Sequence, residues 1–220
     1  MSFRRVFSSS VGTKLLIGVT GLLLVAYLVL HLAGNLLVLA GQDTFNQYAH
    51  TLVSNPLTVP VEVALALLFL VHIYKTVRMW FSNQSARPLR YQQKKWAGHT
   101  SRKSVSSTTM IWTGLITLVF VLIHLSQMKY GAFYQIGDPA IRDLYRTEVD
   151  VFSSPFWVAV YVICMVVIGF HLRHGISSAC QSLGLSHPIY TKRIVVVGTI
   201  LAILIGGGFA LIPVWVYLTR

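Results

Sequence analysis

Five stretches of this chain are almost continuously apolar: Lys14–Ala40, Leu57–Phe81, Met110–Tyr130, Phe156–Cys180 and Ile194–Tyr217. Each reaches roughly the 20 residues that an α-helix needs to cross a bilayer core. Polar residues collect in the segments between them. Only helices or closed barrels satisfy their backbone in lipid, and the strict alternation of barrel strands is absent. The pattern predicts an all-α integral membrane protein with five transmembrane helices, forming one domain over residues 1–220. The first stretch is too long for a signal peptide and no clear cleavage site follows its small residues, so it reads as a membrane helix.

Composition agrees. The 220 residues are 55% hydrophobic and only 11% charged, with mean hydropathy +0.66, too little charge to cover a soluble domain of this size. The net charge of +12 is unevenly placed. Arg4, Arg5 and Lys14 precede or open the first segment. Lys75, Arg78, Arg87, Arg90, Lys94, Lys95, Arg102 and Lys103 surround the second connection, and Lys192 and Arg193 lie before the fifth segment. The first connection has Asp43 and no Lys or Arg. In the third, Arg142 and Arg146 stand against Asp138, Asp143, Glu148 and Asp150. The positive-inside rule puts the N-terminus in the cytoplasm and the C-terminus outside. Basic flanks of this kind orient helices and meet anionic lipid, so they do not indicate nucleic acid.

Four of the five segments carry a histidine well inside the hydrocarbon: His31, His72, His124 and His171. An ionisable side chain is costly at that depth and marks a functional site by default. Counting residues along alternating helices sorts them by depth. His31 lies about 26 Å along the first helix and His72 about 22 Å along the second. With the stated topology, His31 and His124 fall near the outer face, and His72 and His171 near the inner. Each pair joins helices that are diagonal in a ring of four. Neutral imidazole is the commonest metal-gripping side chain, and two bis-histidine haems need four such ligands. The first four helices are therefore expected to form a dihaem-binding bundle, with haems offset by on the order of 15 Å. The fifth segment has no histidine. No C-x-x-C-H run occurs, so covalent c-type haem is excluded; Cys164 and Cys180 suggest no structural disulfide.

Other residues fit this picture without requiring it. Gly18, Gly21, Gly34, Gly114 and Gly169 would let a flat macrocycle approach the backbone, although small residues also line ordinary helix interfaces. Lys75, Arg78, Arg173 and His174 are candidate propionate contacts, the basic ones also being ordinary snorkelling anchors. His174, three residues after His171, competes with it as a ligand. Glu62 is the one acidic residue inside an apolar segment. It is either a proton carrier at a quinone site or a first-turn glutamate favoured by the helix dipole. Gln42, Tyr48 and His50 lie in the outer connection. His99 and His187 fall in cytoplasmic connections. The halves carry no convincing internal repeat, which weighs against a histidine-relay transporter.

The run F-H-L-R-H-G at Phe170–Gly175, then Q-S-L-G at Gln181–Gly184, resembles the cytochrome b membrane anchor of succinate dehydrogenases and fumarate reductases. H-L-A-G-N at His31–Asn35 and L-I-H-L at Leu122–Leu125 fit as well. The resemblance, to the five-helix single-chain dihaem type, spans nearly the whole chain. It implies His171, four residues before Gly175, as a ligand, and the same outer and inner pairs. It also implies partners: a flavoprotein subunit carrying FAD, an iron–sulfur subunit on the cytoplasmic face, and a membrane quinone, typically menaquinone. The function so implied is that of a succinate:quinone oxidoreductase anchor holding no dicarboxylate chemistry of its own. Haem b anchors of fumarate reductase, formate dehydrogenase or hydrogenase are the alternatives.

Overall fold

The computed structural model describes residues 9–86, 105–185 and 187–220. Arg4, Arg5, Arg87, Arg90, Lys94, Lys95, His99, Arg102 and Lys103 lie outside them.

Helix α1, Ser10–Asn35, starts where the Ser9 hydroxyl accepts the Gly12 N–H at 3.0 Å, a conventional N-cap. It tightens into a 3₁₀ turn over Leu36–Ala40 and stops at Gly41, whose φ of 100° suits glycine alone. A short amphipathic helix follows, α2 at Gln42–Val53, and then α3 at Thr58–Ser85. Beyond a single turn, α4 at Val105–Thr108, comes α5 at Met110–His124, which runs on as a π-helical turn over Leu125–Lys129. A two-stranded hairpin, β1 (Gln135–Ile136) with β2 (Ile141–Arg142), leads into α6 at Leu144–Phe152. Asp143 caps α6 by accepting the Arg146 N–H at 3.1 Å. Pro155 opens α7, Pro155–Ser182, at a position that needs no N–H donor. The last helix, α8, is Tyr190–Thr219.

Five of these helices are long and apolar enough to span a bilayer, and the protein is an all-α integral membrane protein. The five apolar stretches of the sequence all lie on them. The amphipathic helices α2 and α6 are additions that periodicity over the long segments does not announce. Leu30, Ile163, Ile203 and Leu204 point outward and are more than half exposed, as lipid-facing side chains must be.

α1 packs against both α3 and α7, and α5 packs against α7. Among the described residues α3 and α5 make no extensive backbone contact. The first four spanning helices thus form an arc in the order α3, α1, α7, α5, with α1 facing α5 and α3 facing α7 as non-neighbours. α8 lies against α7 and, more lightly, α1. The tightest seam is α7 on α8, where Tyr161, Met165, Ile168, Leu172 and Ile176 bury a helical stripe against Ala202, Ile205, Ile212 and Val216. A Cβ on Gly206 would stand 3.0 Å from the Met165 carbonyl and 3.4 Å from the Gly169 Cα. Gly169 therefore serves this helix–helix contact. Gly18 does the same between α1 and α7, where a Cβ would meet the Ala179 carbonyl at 3.3 Å.

Candidate functional site

The outer pair is assembled by α1 and α5. The His31 and His124 rings lie 5.9 Å apart between centroids, almost perpendicular at 84°. Aromatic side chains enclose them. Tyr27 stacks on His31 from one turn earlier, at 5.3 Å and 14°, and Phe120 stacks on His124 in the same way, at 5.8 Å and 25°. Tyr161 of α7 contacts the His124 ring edge-on at 6.1 Å, and Phe209 of α8 approaches His31 at 5.5 Å. Asn35 sets its side-chain amide 3.3 Å from His31 Nδ1, anchored by donating to the His31 carbonyl at 2.7 Å. Nδ1 of His124 is buried and has no hydrogen-bond partner among the described residues.

The inner pair is held differently. Nδ1 of His72 lies 3.1 Å from the Thr20 hydroxyl of α1, and Nδ1 of His171 lies 3.1 Å from the Thr113 hydroxyl of α5. Next to each threonine is a glycine. A Cβ on Gly21 would stand 3.2 Å from His72 Cε1, and one on Gly114 would stand 3.3 Å from His171 Cε1. These two glycines give the imidazoles their room.

The symmetry of these contacts exposes a repeat, which corrects the reading that the halves carry none. Thr20-Gly21, Tyr27 and His31 on α1 match Thr113-Gly114, Phe120 and His124 on α5, position for position. The shared pattern is Thr-Gly, five residues, an aromatic, three residues, His. In each copy Thr-Gly packs a histidine of the next spanning helix, and the aromatic stacks on the copy's own histidine. Gly21 precedes His31 by ten residues, which separates the two levels by about 15 Å along the helix.

The outer pair suits a cofactor that brings its own equatorial donors. Metal–nitrogen bonds of about 2 Å on each side put two imidazole centres that share one ion about 6 Å apart. The outer pair is at that separation. Among the described residues no three His, Cys, Asp or Glu side chains converge, so a bare ion has no protein cage here. A porphyrin needs only the axial two.

The remaining candidates scatter. Glu62 is ion-paired: its Oε2 lies 2.5 Å from Nζ of Lys129, both side chains being partly exposed. His174 and Arg173 line a mixed pocket with Ser177, Gln181, Ile194 and Val195, apart from the Thr113–His171 contact. Lys75 and Arg78 follow His72 along α3. Gln42 donates to Asp143 Oδ2 at 2.7 Å, Tyr48 packs against Gly34, and the His50 ring faces Ser54, all in the outer connection. His187 accepts the Ile189 N–H before α8.

Sequence reasoning missed Thr20, Thr113, the aromatic enclosure and Glu148. Glu148 of α6 is 5% exposed with Oε2 unpartnered, and burial pushes its carboxyl up to about 8. The repeated Thr-Gly before each histidine was the available signal for the threonines. Nothing in the sequence marked Phe209 or the burial of Glu148.

No family model and no solved structure matches the chain. Among curated proteins it is similar to the succinate dehydrogenase cytochrome b558 subunit of Bacillus subtilis (strain 168), 25% identical over 170 residues that cover 76% of this chain and 77% of that protein. That similarity, on a chain with five apolar spanning helices, bears out the resemblance to succinate dehydrogenase cytochrome b anchors that the histidine motifs carry.

Proposed function

We propose that this chain is the dihaem cytochrome b anchor of a succinate:quinone oxidoreductase in a bacterial cytoplasmic membrane. The observation that carries the reading is His31 meeting His124 at one level, with His72 and His171 each resting on an equivalent Thr-Gly at another. Four intramembrane histidines in two matched pairs are an expensive arrangement for mere packing. Similarity to a succinate dehydrogenase cytochrome b558 subunit supports the same assignment.

On this reading His31 and His124 hold the outer haem and His72 and His171 the inner one. Two b-type haems, when bound, carry single electrons between an iron–sulfur subunit and a membrane quinone. This chain fixes their axial ligands, excludes water with the aromatic enclosure and sets each environment. A flavoprotein subunit and an iron–sulfur subunit dock on the cytoplasmic face, with the N-terminus inside and the C-terminus outside. Lys75, Arg78, Arg173 and His174 are placed on the inner side for propionates. Glu62, beside Lys129 at the outer end, is the proton carrier for quinone, with menaquinone the expected type.

The test is to purify the complex and record its reduced-minus-oxidised spectrum. A b-type band with close to two haems per chain, together with flavoprotein and iron–sulfur subunits by mass spectrometry, is the expected result. A colourless preparation, or one haem per chain, overturns it.

A further inference from the structure

We infer that Thr20 and Thr113 are positioning residues for the inner histidine pair, each fixing one imidazole through its Nδ1–H so that Nε2 is the ligating atom; this rests on the dihaem reading above. The chemistry follows from how each hydroxyl spends its single proton. Thr20 Oγ1 donates to the Leu16 carbonyl at 2.7 Å, and Thr113 Oγ1 donates to the Met110 carbonyl at 3.1 Å. With that proton kept on the preceding turn, the assignment inferred here, each oxygen offers lone pairs to a ring nitrogen 3.1 Å away. Nδ1 must then carry the hydrogen, and the tautomer leaves the Nε2 lone pair free.

A threonine in a membrane helix often does no more than bond its own preceding turn. Two observations separate these from that case. Both hydroxyls reach across to a different helix, and both do so from the same place in the repeated Thr-Gly pattern, next to the one residue that leaves space for the ring. Thr117, one turn beyond Thr113, bonds only the Thr113 carbonyl and is the natural control.

The consequence is an asymmetry between levels. A ligating histidine that donates its other N–H gains basicity and is held in one orientation. The inner pair has two such acceptors. In the outer pair Asn35 turns an amide nitrogen toward His31 Nδ1, and His124 Nδ1 has no hydrogen-bond partner among the described residues. The inner iron is thus expected to feel more electron-rich axial ligands than burial alone would provide, and loss of either acceptor should raise its reduction potential.

The experiment is a redox titration of the intact complex, with the low-spin haem signals followed by electron paramagnetic resonance, for Thr20→Val, Thr113→Val, Thr113→Ser and the control Thr117→Val. Both valine variants at positions 20 and 113 should shift the potential and signal of the same single haem, the potential upward. Thr113→Ser should restore the original values and Thr117→Val should leave them unmoved. Two haems present with unshifted potentials in Thr113→Val would overturn the inference while leaving the dihaem reading intact. So would shifts of different haems in the two valine variants. If a valine variant loses the inner haem outright, retention by Thr113→Ser supports the hydroxyl's role and loss there as well overturns it. A wild-type complex without haem overturns the underlying reading.

Discussion

Lys129 and Glu62 join the two helices that otherwise leave the arc open. Nζ of Lys129, at the end of the π-helical turn after α5, lies 2.5 Å from Oε2 of Glu62 near the start of α3. Both side chains are partly exposed, at 38% and 48%, so the ion pair contributes only about 0–1 kcal/mol to folding. Its expected value is functional. Glu62→Gln should leave haem content and the oxidation of succinate by a water-soluble dye unchanged, yet lower quinone reduction by about a hundredfold, the low end for loss of a proton-transferring side chain. Unimpaired quinone reduction in this variant would remove Glu62 from the proton path.

The histidine pairs make a combinatorial prediction. His31→Ala and His124→Ala should each remove the same haem, and His72→Ala and His171→Ala the other, because one missing axial ligand opens the site to water. His174→Ala should retain both, since that ring lines the pocket with Arg173, Ser177 and Gln181. Haem quantification and the potentials of the remaining haem read the outcome. Loss of different haems in His31→Ala and His124→Ala would dissolve the outer pair.

Much of this was legible from spacing alone. Apolar length set the five helices, and counting residues from each mouth put His31 and His124, whose rings meet, at one level. What stayed hidden has physical reasons. Thr20 and Thr113 look like ordinary membrane threonines until the neighbouring helix brings His72 and His171 to them. The repeat is short, and its most telling parts, Thr-Gly and the stacked Tyr27 or Phe120, acquire meaning only as contacts. Phe209 lies on α8, where the lack of a histidine directs attention elsewhere, yet it covers His31. α2 and α6 are too polar to register as spans. Their roles depend on a buried knot in which Asn46 donates to Asp143 at 2.8 Å and accepts the Tyr145 N–H at 2.9 Å. No pattern in one segment reveals a bond to a residue about a hundred positions away.

Gly21 offers a steric test of the inner site. A methyl there would already stand 3.2 Å from the His72 ring, closer than ordinary van der Waals contact. Gly21→Val adds two further carbons and must push the imidazole out of place. The variant should insert and keep the outer haem, while the inner haem is lost or its low-spin signal broadened. Gly175, whose Cβ would meet nothing within 4 Å, is the matched control, and Gly175→Ala should keep both haems. Retention of an unaltered inner haem in Gly21→Val would show that this glycine does not make room for a ligating ring.

Glu148 should govern how stability responds to pH. Its carboxyl is raised by burial from an ordinary 4.5 to about 8, so the folded protein holds a proton there that the unfolded chain releases. Near it is Tyr161, whose hydroxyl donates to Gln127 at 2.9 Å. The sign then follows from proton linkage. Below about pH 4.5 both states are protonated and the residue costs nothing. Between there and about pH 8 the folded state binds the extra proton, so each step upward in pH destabilises it, until the loss levels off above pH 8. Glu148→Gln keeps the shape and removes the charge. Thermal unfolding in detergent across pH 5 to 9 should therefore show a wild-type decline that the glutamine variant lacks, with the variant ahead at the alkaline end. Parallel curves for the two proteins would mean that Glu148 is not carrying a buried proton.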